Sequence, residues 1–231
     1  MKIFAISDLH LSIASDKPMN VFGGSWEGYW EKIKENWLNK VTENDVVLIA
    51  GDISWGMSLE QALPDLEAIA ALPGKKVLTK GNHDYWWSTY KKITSLNLEN
   101  MYFIQNNAVK IGDYIFCGTR GWTVDDDDDF SPEDKKIYDR EVIRLGLTLK
   151  SAEQLRVNDE TIVGMIHYPP FNYRFEDSDF TKLFEEYGVK KVIYGHLHGN
   201  SARFKDVVNK RETNFYLTSC DFLKNDLLEI Y

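Results

Sequence analysis

The chain has 231 residues with 36 acidic and 27 basic side chains, a formal net charge of −9, and 43% hydrophobic and 13% aromatic residues. That apolar content suffices for the core of one α/β domain spanning residues 1–231 and excludes a disordered chain. The acidic balance argues against a sequence-independent grip on DNA or a membrane surface, both of which use a basic face.

Lys2 to Ile6 reads as a buried strand, and Ser12 to Trp26, with Gly23-Gly24, as a loop that follows it. Glu27 to Lys40 places Trp30, Ile33 and Trp37 on one helical face. Asp45 to Ala50 is the next strand, and Leu59 to Leu72 is a helix behind a Ser58/Gln61 cap, with Pro64 as a kink or the true start. After a strand at Lys76 to Leu78, Tyr85-Trp86-Trp87 reads as the buried opening of another helix, with Asp84 as its cap. Ala108 to Ile111 and Tyr114 to Cys117 flank Gly112-Asp113, a two-residue hairpin turn. The acidic run Asp125 to Asp129 lacks the spacing of a calcium loop and reads as a solvated loop. Ser131-Pro132 then opens a long helix toward Leu155. Thr161 to Ile166 and Lys190 to Tyr194 are two more buried strands, and Phe215 to Thr218 with Leu227 to Ile230 reads as a closing antiparallel pair. Continuous apolar strands beside hairpins point to an α/β (α+β) architecture: two mixed β-sheets packed together with helices outside.

Cys117 and Cys220 are spaced as neither a metal knuckle nor a redox pair, and read as two free thiols. Asp8 and His10 interrupt the N-terminal apolar stretch too early for a secretory signal, and Val46 to Ala50 is far too short to span a bilayer. The expectation is a cytoplasmic protein without membrane contact.

The polar residues at the strand ends carry the chemistry. Asp8-Leu9-His10 follows the first strand; residues two apart in an extended chain point the same way, so both side chains reach one ion. Gly51-Asp52 follows the second and Gly81-Asn82-His83-Asp84 the third. His167 ends the Thr161 strand, and Gly195-His196-Leu197-His198 ends the Lys190 strand. Each motif alone also fits an ordinary turn or hydrogen-bonded loop. Five successive strand ends delivering Asp, Asn or His to one edge do not, and all five histidines of the chain lie in these motifs.

In this order the motifs resemble the calcineurin-like metallophosphoesterase superfamily, over residues 1 to about 200. The resemblance implies a four-layer sandwich of two mixed sheets flanked by helices, and a hydrolase of phosphoesters. It implies that Asp8, His10, Asp52 and His198 surround one metal and Asp52, Asn82, His167 and His196 a second, with Asp52 shared and a bridging hydroxide as nucleophile. Oxygen and imidazole donors without thiolate suit manganese, iron, zinc or cobalt, with manganese or iron favoured. By the same resemblance His83 is the catalytic residue, stabilising charge or protonating the leaving group. The implied substrate is a small phosphomonoester or phosphodiester. A nuclease is the first alternative, disfavoured by the acidic charge and the lack of a Lys/Arg cluster in the sequence; a catalytically retired metal-binding scaffold is the second. The oligomeric state is not legible.

One position departs from the pattern. Several relatives carry a polar partner for the catalytic histidine three residues after the shared aspartate, where this chain has Trp55. A tryptophan accepts no hydrogen bond, so the orientation of His83 needs another source. Arg120 reads either as a phosphate clamp or as a surface ion pair, and Trp122 as a stacking platform or a core side chain.

Overall fold

A computed structural model describes residues 1–15, 17–125, 130–199 and 205–231; residues 126–129 of the acidic run lie outside it. β1 (Ile3–Ile6), β2 (Val46–Ala50), β3 (Lys75–Thr79) and β4 (Met101–Ile104) run parallel in one sheet, and β11 (Leu228–Glu229) closes its edge antiparallel to β1. The second sheet has the order β5-β6-β7-β8-β10-β9, built from β5 (Ala108–Ile111), β6 (Tyr114–Thr119), β7 (Thr161–Ile166), β8 (Lys191–Tyr194), β9 (Val207–Lys210) and β10 (Thr213–Leu217). Its four inner strands are parallel, and β5 and β9 are antiparallel edges. Both sheets are mixed, as the sequence indicates.

Strand alternation builds the layers. Ile3 and Ala5 of β1 join Val46, Leu48, Phe116, Val163 and Ile193 in a core between the sheets. Phe4 and Ile6 point the other way, toward Ile33 and Trp37 of α1 (Tyr29–Lys40) and Leu66 and Ile69 of α2 (Leu59–Ala70). The outer face of the second sheet packs on Leu145 and Leu149 of α4 (Pro132–Leu155) and Phe180 and Phe184 of α5 (Asp179–Glu186). The result is helices, sheet, sheet, helices. Pro64 is accommodated inside α2, and α4 runs unbroken through Gly146 behind a Ser131/Asp134 capping box.

Two expectations fail. Phe215–Thr218 and Leu227–Ile230 are not partners: β10 inserts between β8 and β9, while β11 pairs with β1 of the other sheet. The chain between them crosses from sheet to sheet, pinned by Ser7 N–H to Thr218 O at 2.7 Å and Cys220 N–H to Ser7 O at 3.0 Å. Tyr85-Trp86-Trp87 forms a turn, and α3 (Tyr90–Thr94) starts only at Thr89, whose hydroxyl caps it. Asp84 cannot cap a helix because its carboxylate already accepts from the N–H groups of Ile53 (2.8 Å), Ser54 (3.2 Å) and Gly81 (2.7 Å), and from Trp86 Nε1 (2.9 Å).

Among the described residues no helix is long and apolar enough to cross a membrane. Both cysteines are free and buried.

Candidate metal centre

Parallel strands deliver their carboxyl ends to one edge, so the loops after β1, β2, β3, β7 and β8 meet there. His10 Nε2 lies 3.2 Å from His198 Nε2 and 3.7 Å from Asp52 Oδ2, and His198 Nε2 lies 3.6 Å from Asp8 Oδ1. His167 Nε2 lies 3.5 Å from Asp52 Oδ2 and 2.7 Å from Asn82 Oδ1, and His196 Nδ1 stands 3.0 Å from that same amide oxygen. Asp8, His10 and His198 thus form one donor group and Asp8, Asp52 and His167 another, with Asn82 linking His196 to the second. All seven side chains expected as ligands come together.

The way Asp8 and His10 converge differs from the extended-strand argument. Asp8 (φ 57°) and His10 (φ 46°) are left-handed, as are Asp52 (φ 51°) and His196 (φ 71°). The segments after β1 and β2 still run side by side, through Asp8 N–H to Gly51 O (3.0 Å), His10 N–H to Asp52 O (2.9 Å) and Leu11 N–H to Ile53 O (3.0 Å). Turns, not strand alternation, aim these ligands.

The donor set fits a cation. Asp8 and Asp52 are buried, and burial, then Asp8 and Asp84, push the Asp52 carboxyl up to about 9. Burial, then His167 and His198, hold His196 down at about 3, and burial, then His198, holds His10 well below the usual imidazole range. His167 is likewise lowered, chiefly by burial. Its Nδ1 lies 2.9 Å from Ala50 O, an acceptor only, so Nδ1 carries the proton and the Nε2 lone pair faces Asn82 Oδ1. Neutral imidazole nitrogens, an amide oxygen and carboxylates aimed at one another repel unless positive charge lies among them. The one nearby thiol faces away from ligand duty: Cys220 Sγ donates to Asp8 O at 3.1 Å, and burial, then Asp221 and Asp8, keep it protonated.

Three supporting residues escape the sequence. Ser7 Oγ (2.5 Å) and Ser219 Oγ (2.9 Å) donate to Asp8 Oδ2 and fix the carboxylate. Asp221 accepts from His198 Nδ1 at 3.1 Å and from Gly199 N–H at 2.8 Å, so it sets which imidazole nitrogen faces Asp8. Asp221 lies four residues past the end of β10, in the crossing between the sheets, where an aspartate carries no signal in the sequence.

His83 stands at the edge of the cluster, half-buried, with its backbone N–H on Asp52 Oδ1 at 2.8 Å. Trp55 supplies its orientation by packing. The indole stacks on His10 (4.8 Å between ring centres, 20°), lies 4.7 Å from the His83 ring, and anchors its own Nε1 on Met19 Sδ at 3.2 Å. The described part of the Ser12 to Trp26 loop closes the same side: Trp26 is buried, 6.0 Å from His10 and 5.6 Å from His198. Arg120 does not form a surface ion pair; it lies under Trp122 and pairs with the buried Glu141. Trp122 Nε1 donates to Asp134 Oδ1 at 3.0 Å.

The family model for calcineurin-like phosphoesterases matches residues 1–200, and the chain belongs to that family of phosphoester hydrolases, which typically bind divalent metals. TT1561 of Thermus thermophilus has a similar fold, with a TM-score of 0.62 and 11% identity over 98% of this chain and 96% of that one. A protein of unknown function from Aquifex aeolicus, AQ665, is similar at a TM-score of 0.50 and 16% identity, over 99% and 95% of the two chains. At these identities the likeness is one of fold. No curated protein matches the sequence.

Proposed function

We propose that the protein hydrolyses a small phosphomonoester or phosphodiester at a binuclear metal centre. The observation that carries this reading is the set of lone pairs aimed at one another from five loops, with Asp52 Oδ2 reached by both His10 and His167. Asp8, His10, Asp52 and His198 would hold one ion, and Asp52, Asn82, His167 and His196 the other. Bound divalent ions supply Lewis acidity, a water of lowered pKa and counter-charge for the phosphoryl oxygens. The oxygen and imidazole donors fit manganese, iron, zinc or cobalt, manganese or iron first.

The chain's own residues do the rest. His83 is lowered by burial, then by His167, so near neutral pH it is an uncharged imidazole. It therefore acts by donating a hydrogen bond to a phosphoryl or leaving-group oxygen, with its ring held by Trp55. Trp26 and Trp55 exclude water from the His10 side, and Tyr168, 4.1 Å from the His196 ring, covers the opposite ligand. A net charge of −9 favours a small ester over a nucleic acid polymer.

The test measures bound metal and hydrolysis of p-nitrophenyl phosphate and bis-p-nitrophenyl phosphate. Asp52→Ala should lose both metal and activity. His83→Asn should keep its metal and lose about 10²- to 10⁴-fold in kcat. Full activity in Asp52→Ala, or a wild-type protein that takes up none of the four metals, refutes the reading.

A further inference from the structure

Lys80, Arg120 and the pair Arg140 and Arg144 come from three separate segments of a sequence that shows no basic run, yet the fold gathers them around one pocket of about 300 Å³. The pocket opens among the ends of β3, β4 and β6 and the first half of α4, apart from the metal-ligand side chains. The carboxylate of Glu141, the one acid among the described lining residues, is fully buried and already committed: it accepts from Thr119 Oγ1 at 2.6 Å and Arg144 Nη1 at 2.7 Å, with Arg120 Nη2 at 3.5 Å. Among the described residues that line it, four cations against one anion leave a local charge of +3 in a chain whose net charge is −9.

These cations are under-partnered. Among the described residues neither Lys80 nor Arg140 has a carboxylate within ion-pair distance, and Arg120 Nε is buried with no hydrogen-bond partner. Lys80 is half-buried at the pocket wall. A fold that only needed to neutralise Glu141 would have done so with one arginine. Guanidinium groups and an ammonium facing one polar cavity match an anion with several oxygens, which takes forked hydrogen bonds from the arginines and a single charged one from the lysine.

We propose that this pocket binds a phosphate-class oxyanion, at a site separate from the metal cluster. It adjoins that cluster through the backbone: Lys80 is two residues before Asn82, and Arg120 O accepts the N–H groups of His167 (3.1 Å) and Tyr168 (2.9 Å). The oxyanion is either a second phosphoryl group of the substrate or free phosphate.

The test uses chelator-treated full-length protein, so that the metal centre cannot bind the probe. Inorganic phosphate and sulfate are titrated calorimetrically at low ionic strength into wild type, Lys80→Met and Arg140→Ser. Wild type should bind one equivalent, more weakly as salt rises, and each variant should bind at least tenfold more weakly with an unchanged circular dichroism spectrum. Arg140 is exposed, so its substitution leaves the fold intact. No binding by wild type, or equal binding by both variants, overturns the proposal. With metal restored, a KM raised by Lys80→Met only for an ester bearing a second phosphate identifies the substrate as the source. Unchanged KM values for mono- and bisphosphorylated esters, alongside lost phosphate binding, identify the free anion.

Discussion

Replacing Asp221 tests whether the centre depends on residues outside the ligand motifs. Its carboxylate takes two hydrogen bonds, from His198 Nδ1 at 3.1 Å and Gly199 N–H at 2.8 Å. Asp221→Ala removes both and frees the His198 ring to rotate. Asp221→Asn keeps the shape, but its amide can accept only one of the two bonds and turns an NH₂ toward the other donor. Loss of an orienting partner of this kind costs about 10- to 100-fold in metal affinity, or about 1.4–2.7 kcal/mol. That range agrees with one hydrogen bond to a charged group at about 1.5–3 kcal/mol. The pH dependence has a definite sign. Burial opposes the charged His198, but the Asp221 hydrogen bond and the Asp8 and Asp221 charges outweigh it and raise the pKa. Protons therefore compete with metal in the wild type until the pH exceeds that raised value. In Asp221→Asn the competition ends at lower pH, so the affinity gap between the two proteins narrows on acidification. Metal dissociation constants measured against a chromophoric chelator between pH 6 and pH 8 decide the matter. Affinity within twofold of wild type at pH 8, or a gap that widens toward pH 6, would refute the reasoning.

Three further outcomes follow from packing and charge. A Cβ on Gly81 would stand 2.1 Å from Asp52 Oδ1 and 2.2 Å from Asp52 N; Gly81→Ala should lower stability by about 1–3 kcal/mol and weaken metal uptake, and wild-type values for both would exclude the tight approach. Lys76 is fully buried and donates to Ala70 O (3.0 Å), Leu72 O (2.7 Å) and Gly74 O (2.8 Å), at and just past the end of α2. Lys76→Met leaves these carbonyls unpaired and should cost about 3 kcal/mol in urea unfolding; a loss below about 1 kcal/mol would show that water takes over. Hydrogen bonds from Lys110 and then the Asn158 N–H hold Glu160 down at about 2, below its value of about 4.3 in an unfolded chain. Its contribution is present above the unfolded value and lost as the pH falls through the folded one. The stability gap between wild type and Glu160→Gln should therefore shrink from pH 7 to pH 3, and a constant gap would assign it to packing.

The sequence reveals the strands buried on both faces most clearly. Val46 to Ala50 is apolar at every position because one set of side chains meets the helices and the other meets the second sheet. Edge strands leave a weaker trace: β9 and β4 are four residues each, and β9 has only one buried residue. The ligand motifs stand out because Asp and His interrupt apolar runs. Ser7, Ser219 and Asp221 do not, since a serine or aspartate at a strand end is ordinary until the crossing between the sheets brings it to Asp8 or His198. The basic pocket was illegible for a related reason: Lys80, Arg120, Arg140 and Arg144 occupy three separate segments that only tertiary packing joins. Trp55 was legible as a departure but not as a substitute, because a stacking partner has no sequence spacing of its own.

The glycines of the ligand motifs explain how the cluster closes. Turn formation is the ordinary reason for a glycine before Asp or Asn, yet Gly81 and Gly195 are constrained by space. A Cβ on Gly195 would stand 2.4 Å from both Asp8 Oδ2 and Ser7 Oγ, and one on Gly51 would meet Gly81 Cα and His167 Nδ1 at 2.7 Å. The ligand loops are therefore in direct backbone contact, which is how side chains from five strand ends reach one cluster. Beside these glycines sit Asp8, His10, Asp52 and His196, all with positive φ. Such conformations cost about 1 kcal/mol or more each for ordinary residues, so the four together cost on the order of 4 kcal/mol. They persist because neighbouring backbone fixes them: Asp8 N–H and His10 N–H are held by β2's extension, and His196 N–H by the Asp8 carboxylate at 3.1 Å. Among the described residues, four of the seven expected ligands have positive φ, and all four are Asp or His, types that adopt it more readily than most side chains, so the same residue types that can hold a metal also make the turns that aim them.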